Sequence, residues 1–230
     1  MFEYERTKRQ LAVHRPGTRW LSNGFDGGFS TTDAAYNLTV PEGFDRTDLA
    51  AYVAERLDGR PPGPTLLTGV HQTHARAARL GSVEAVTTAG VSNPAALPMD
   101  DDARMDSDVD DGESWRPGTV NVFVGTTRAL GDGALAGLLA TAVEAKAATL
   151  LDRAGVPGTT SDAVVVGCDP TGEPSAFAGS ATAVGSAARA CVREAVAASL
   201  DSRYDGESPP GVDAAPYGVT TSRRPPTFEP

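Results

Sequence analysis

Lysine is almost missing from this chain of 230 residues: Lys8 and Lys146 are the only two, against eighteen arginines. Cysteine is as scarce. Cys168 and Cys191 stand in no metal or redox spacing, so a disulfide framework and a cysteine metal site are excluded and a reducing compartment is the default. Apolar runs are short, residues 134–140 being among the longest, too short for a bilayer span. The start, Met1-Phe2-Glu3-Tyr4-Glu5, lacks the basic and apolar stretches of a signal peptide. The expected setting is the cytoplasm, with no membrane partner. No basic patch with interleaved aromatics occurs, so nucleic acid is not an expected partner either.

What the chain has in excess is acid. Its net charge is −10. An acidic surface with arginine in place of lysine reads as adaptation to high salt, reinforced by the codon bias of a high-GC genome; it describes solubility rather than chemistry. Residues 100–113 hold eight acids against Arg104, and so account for −7 of that charge. Such a run buries no apolar surface and reads as a solvated insertion, bounded at 99–116. Its stretch 106–112 has calcium-loop composition, but the glycine is one place late and Pro117 stands where the closing glutamate belongs. Residues 205–230, rich in Pro, Gly, Ser and Thr, read as a disordered tail. One domain over residues 1–204 remains.

Within it, strands are expected at 29–40, 65–70, 83–91, 119–126 and 161–167, and a short one at 175–178. Helices are expected at 47–57, 71–80, 134–154 and 182–200. This alternation predicts an α/β fold, with α+β as the alternative: one layered domain, a mixed sheet with helices packed on it. Residues 119–167 form a strand–helix–strand unit that makes a crossover if its strands are parallel.

That unit carries polar residues at odds with its pattern. Leu135, Leu139, Val143, Ala147, Leu150 and Ala154 define an apolar stripe at helical spacing. Lys146 falls inside it and needs a partner there or a lowered pKa. Glu144 borders the stripe but, two residues away, cannot face Lys146. A structural ion pair or a snorkelling lysine explains Lys146 as well as catalysis does. Asp162 opens a buried strand after Thr159, Thr160 and Ser161, and Asn121 interrupts another. Together Asn121, Glu144, Lys146 and Asp162 could position a carbonyl and activate a water. Ser22, Asn23, Gly27 and Gly28 lie in a turn able to hold a ligand through backbone amides, though no lysine follows as in a phosphate loop. His71 and His74 lack a third ligand, so no metal site is expected. Cys168 as a nucleophile is remote.

In this order the segments 21–28, 68–70, 87–94, 117–122, 140–146 and 158–166 resemble the adenosylcobinamide amidohydrolases, over about residues 19–200. Members hydrolyse the amide that joins the aminopropanol arm to the corrin ring of adenosylcobinamide. The products are adenosylcobyric acid and 1-amino-2-propanol, and the family is typical of archaea. The resemblance implies a corrinoid partner, with a homo-oligomer left open. It implies no separate cofactor, since the cobalt belongs to the substrate. It makes Ser22, Asn23, Gly27, Gly28, His71, Ser92, Asn93, Thr119, Thr159 and Thr160 the expected substrate contacts. Glu144 or Asp162 is the expected base toward water, Lys146 or Asn121 the oxyanion donor and His71 a reserve acid. A second scheme frees Thr119 as an N-terminal nucleophile by self-cleavage. The competing function is a corrinoid-binding module without chemistry.

Overall fold

The computed structural model describes residues 1–60, 62–99, 119–215 and 217–230; the acidic stretch 100–113 lies outside them. Three helices and thirteen strands follow one another in these residues. They are β1 Glu3–Arg6, β2 Gln10–Ser22, β3 Gly28–Thr39, α1 Leu49–Leu57, β4 Thr65–Thr68, β5 Arg76–Leu80, β6 Val83–Ala89, β7 Pro94–Ala96, β8 Val120–Thr126, β9 Ala129–Leu130, α2 Asp132–Ala154, β10 Gly158–Thr159, β11 Ala163–Cys168, β12 Pro174–Ser175, α3 Ala183–Tyr204 and β13 Val219–Thr220. Eight strands form one mixed sheet in the order β4-β3-β2-β11-β8-β6-β5, with β1 also on β2. The fold is α/β, as the alternation implies.

The long hairpin of β2 and β3 shapes the molecule. Its register shifts between His14 and Thr18. Before the shift β2 pairs with β1; after it, β2 pairs with β11. The far part of the hairpin, with β4, folds back over β8, so that the Asn121 side chain reaches the carbonyl of Leu67 in β4. Phe2, Leu11, Trp20, Leu66, Phe123 and Val165 fill the space inside the fold. A larger core packs α2 and α3 on the other face of β6, β8 and β11, and a third packs α1 on the hairpin. Strand β11 lies parallel to β8 with Ala163 opposite Asn121, so α2 is the crossover that the strand–helix–strand pattern requires.

Residues 71–80 depart from the expected helix. They form a 3₁₀ turn, Gln72–His74, and then β5, which pairs with β6 through Arg76↔Thr87 and Leu80↔Val83. The tight turn at Gly81, whose φ is 57°, makes this a hairpin, and a sheet partner overrides a weak helical pattern. The turn expected around Ser22, Asn23, Gly27 and Gly28 narrows to residues 23–27, with Ser22 ending β2 and Gly28 opening β3. The buried stripe of α2 is rotated from the expected one, running through Leu135, Leu138, Ala142, Ala145 and Leu150, with Lys146 among them. Helix α2 is also long and apolar enough, on those counts alone, to cross a bilayer, which the short-run reading missed; its buried stripe faces the sheet and α3. The tail, expected as disordered, carries a 3₁₀ turn at Val212–Ala214 and β13. That strand lies parallel to β7, which pairs in turn with β10.

Candidate active site

Asp162 is the centre of the best-built polar site. It stands one residue before β11, where the strand begins beside the start of β8. Its Oδ1 accepts the Val120 N–H at 2.8 Å and the Thr159 hydroxyl at 2.5 Å. Its Oδ2 accepts the Thr159 N–H at 3.1 Å and an ion pair from Lys146 Nζ. The two charged side chains are only 8% and 10% exposed. A carboxylate offers about four lone-pair positions, so this one is filled by protein donors. Removing either partner of so buried a pair costs roughly 3–5 kcal/mol.

Local sequence makes room for the pair. A Cβ on Gly158 would lie 2.8 Å from Asp162 Oδ2 and 3.0 Å from Lys146 Nζ, so a larger residue would push them apart. Residues 158–160 are held by β7: Gly158 and Thr159 pair with Ala95 and Pro94, and the Thr160 N–H donates to the carbonyl of Asn93 at 3.0 Å.

Asp162 opens on a cavity of about 230 Å³ whose polar wall is Asn23, Gly24, Ser161 and Asp162, with Phe25 and Leu66 on the apolar side. Asn23 is fixed there, since its Oδ1 accepts the Val164 N–H at 2.7 Å and its own N–H donates back to Val164 at 3.2 Å. That assignment turns its NH₂ outward with no acceptor among the described residues. The Ser161 hydroxyl is buried and has no partner among the described residues. Phe25 also lines a second, larger groove of about 520 Å³, built from Ser22, the glycines 27 and 28 and the inner side of α1. The turn is shaped for this: Asp26 and Gly28 both take positive φ, 50° and 111°, and Ser22 Oγ accepts the Gly24 N–H at 3.1 Å.

The structure thus joins Lys146, Thr159, Asp162 and Asn23, and places Ser22, Gly27 and Gly28 in the adjoining groove. Thr160 is exposed beside them, and Asn93 is buried under β10. Other candidates lie elsewhere. Glu144 is exposed on the outside of α2 and pairs with Arg189 of α3 at 3.0 Å; two residues from Lys146, it points away, as helical geometry requires, so the two do not share a site. Asn121 is fully buried. Its NH₂ donates to Asn37 Oδ1 at 2.9 Å and to the Leu67 carbonyl at 3.0 Å, and Asn37 donates on to Thr88 at 2.8 Å. It stitches the folded-back hairpin to β8, its donors spent on β3 and β4. Thr119 is buried too, its hydroxyl donating to Thr68 at 2.8 Å, which leaves it no access as a nucleophile. His71 lines a different concavity with Arg9 and Arg203. Ser92 is part-buried next to Asn93. Cys168 is buried, and burial pushes its thiol pKa up, the reverse of an activated thiolate. Ser161 and Phe25 also line the cavity; for Ser161 the signal in the sequence is its place beside Asp162, and for Phe25 an apolar residue in a glycine turn.

The family model of adenosylcobinamide amidohydrolase matches residues 1–208. The chain belongs to that family. It is 53% identical to an adenosylcobinamide amidohydrolase of Halobacterium salinarum over the whole of both chains. It is 28% identical to one of Methanosarcina mazei, over 85% of this chain and 96% of that one. The family match ends four residues past α3, so β13 lies beyond it.

Proposed function

We propose that this protein hydrolyses the amide linking the aminopropanol arm to the corrin ring of adenosylcobinamide, in the cytoplasm, and that it serves cobinamide salvage. Adenosylcobyric acid and 1-amino-2-propanol are the products. The observation that carries the reading is the full-length identity of 53% to the Halobacterium salinarum amidohydrolase. The geometry supports it: a buried charged pair beside a small cavity suits the arm, and the wider groove past Phe25 gives the ring a place outside.

In this scheme Asp162 is the base, Lys146 the acid and Asn23 the carbonyl donor. Entry of water replaces the Thr159 hydroxyl at Asp162 Oδ1, since a hydroxyl rotates away without moving backbone. The water oxygen bonds to the amide carbon as Asp162 takes its proton. The Asn23 NH₂ donates to the carbonyl oxygen as charge builds on it. The C–N bond then breaks, and the leaving amine takes a proton from Lys146 Nζ. Asp162 returns its proton to Lys146 and the cycle closes. No separate cofactor enters; the cobalt stays with the ring.

The test is incubation of the protein with adenosylcobinamide in high potassium chloride, followed by mass detection of both products. Stoichiometric release of 1-amino-2-propanol is expected. Tight corrinoid binding with the amide intact would overturn the enzyme reading in favour of a binding module.

A further inference from the structure

Arginine in this protein is a paired residue. Nine described arginines meet a carboxylate in an ion pair, as expected of an acidic surface. Arg6, Arg9, Arg56, Arg76 and Arg203 have no such partner among the described residues, and two of these meet at one place. The ends of β3 and β4 and the last turn of α3 enclose a concavity of about 430 Å³, lined by Arg9, His71 and Arg203, with Glu42 its one acid. Neither arginine has a carboxylate partner among the described residues.

The chain builds this cluster from separate elements. The carbonyl of Lys8 accepts the Gln72 N–H at 3.1 Å and that of Arg9 accepts the Thr39 N–H at 2.8 Å. These bonds set the turn that carries Lys8 and Arg9 beside His71. Arg203 is seated by Gly90, where a Cβ would lie 3.0 Å from its Nε and 3.3 Å from its Cζ. Its guanidinium carbon lies 5.6 Å from the Tyr204 ring centroid, and its Nε is buried without an acceptor. The pKa of His74 next door is pushed down, first by burial and then by the charge of Arg203. The negative end of α3 accounts for one cation in its last turn, but not for Arg9, which arrives from the turn between β1 and β2. Two guanidinium groups gathered against the single acid Glu42 leave an excess of positive charge, whose self-repulsion a bound anion offsets.

We propose that this concavity binds a phosphate ester of a small amino alcohol. Two planar guanidinium groups suit phosphate oxygens, which they can each grip with two bonds. The volume falls in the range of small-molecule sites, roughly 300–1,000 Å³, and leaves room for an organic part beyond the phosphate. Glu42 supplies the counter-charge for an ammonium on that part. The site is separate from Asp162 and does not depend on the amidohydrolase reading.

Calorimetric titration in a fixed, high concentration of potassium chloride tests it, with O-phosphoethanolamine and inorganic phosphate as probes. Saturable binding of O-phosphoethanolamine, tighter than that of inorganic phosphate, is expected. Arg9→Gln and Arg203→Gln should each weaken it by about tenfold or more, the scale of a lost hydrogen bond between charged groups. Glu42→Gln should weaken O-phosphoethanolamine and leave inorganic phosphate unchanged. Arg9 is exposed on a turn, so its variant decides the matter if Arg203→Gln fails to fold. Equal binding of the two probes would overturn the ester assignment. No saturable heat with either, or parental binding by Arg9→Gln, would overturn the site.

Discussion

Asp162 and Asn121 sit at the starts of neighbouring parallel strands, and the protein uses them in opposite ways. Asp162 is charged, stands at a cavity wall and has every lone pair filled by donors from β8, β10 and α2. Asn121 is neutral, lies inside the fold of the sheet and leaves its Oδ1 without a partner. The first arrangement stores a charge next to open space, where a substrate can reach it. The second spends its donors on backbone and side chains of β3 and β4, where no substrate can enter. An out-of-pattern polar residue therefore carries two different meanings, and only its distance from a cavity separates them.

The strongest way to break this contrast is at the charged pair. Asp162→Asn is expected to cut turnover on adenosylcobinamide by about 10²–10⁴-fold, the usual contribution of a positioned base. Parental turnover would remove Asp162 from the chemistry. Lys146→Met leaves the carboxylate buried without its cation. It should cost about 3–5 kcal/mol of stability in denaturant titration, besides its effect on turnover. A loss near zero would mean that the pair is far wetter than its 8% and 10% exposure indicates.

The neutral side is sharpened by Asn121→Ala. It strips donors from Asn37 Oδ1 and the Leu67 carbonyl, so a stability loss of about 1–3 kcal/mol is expected. Turnover per folded molecule should stay within a few-fold of the parent. If turnover instead falls as steeply as in Asp162→Asn, Asn121 belongs to the reacting groups.

The sequence pattern alone made most of the sheet and two of the long helices legible, because apolar runs and caps are local signals. Thr182 caps α3, accepting the Gly185 N–H at 3.0 Å, and Gly155 ends α2 in the left-handed region. Residues 71–80 were misread because their strand state depends on β6, a partner that local pattern does not contain. Strand β13 likewise depends on a distant partner, β7. At the site, Lys146 and Asp162 were both visible as anomalies, but their pairing across sixteen residues was not. It arises from the parallel register that brings the end of the crossover loop back under α2. Glu144 stood as near Lys146 in sequence, yet helical geometry turned it to solvent; Glu144→Gln should leave turnover unchanged, which a standard assay would check.

A small effect on stability is expected at the other end of β11, and it isolates what the cavity adds. Asp169 follows the strand and pairs with Arg15, both side chains being partly exposed at 16% and 21%. The Arg15 guanidinium, with help from Thr171, lowers the Asp169 pKa to about 2. A carboxyl lowered on folding lends stability that is present above its unfolded value, roughly 3.9, and that is lost as pH falls through the folded one. Arg15→Gln should therefore lower stability at pH 7 by no more than about 1 kcal/mol, as for exposed pairs. The gap between variant and parent should close as pH approaches 2, while turnover at neutral pH stays parental. A loss of turnover here as large as at Asp162 would mean that ion pairs along β11 act through the strand as a whole. The contrast would then rest on the strand and not on the cavity.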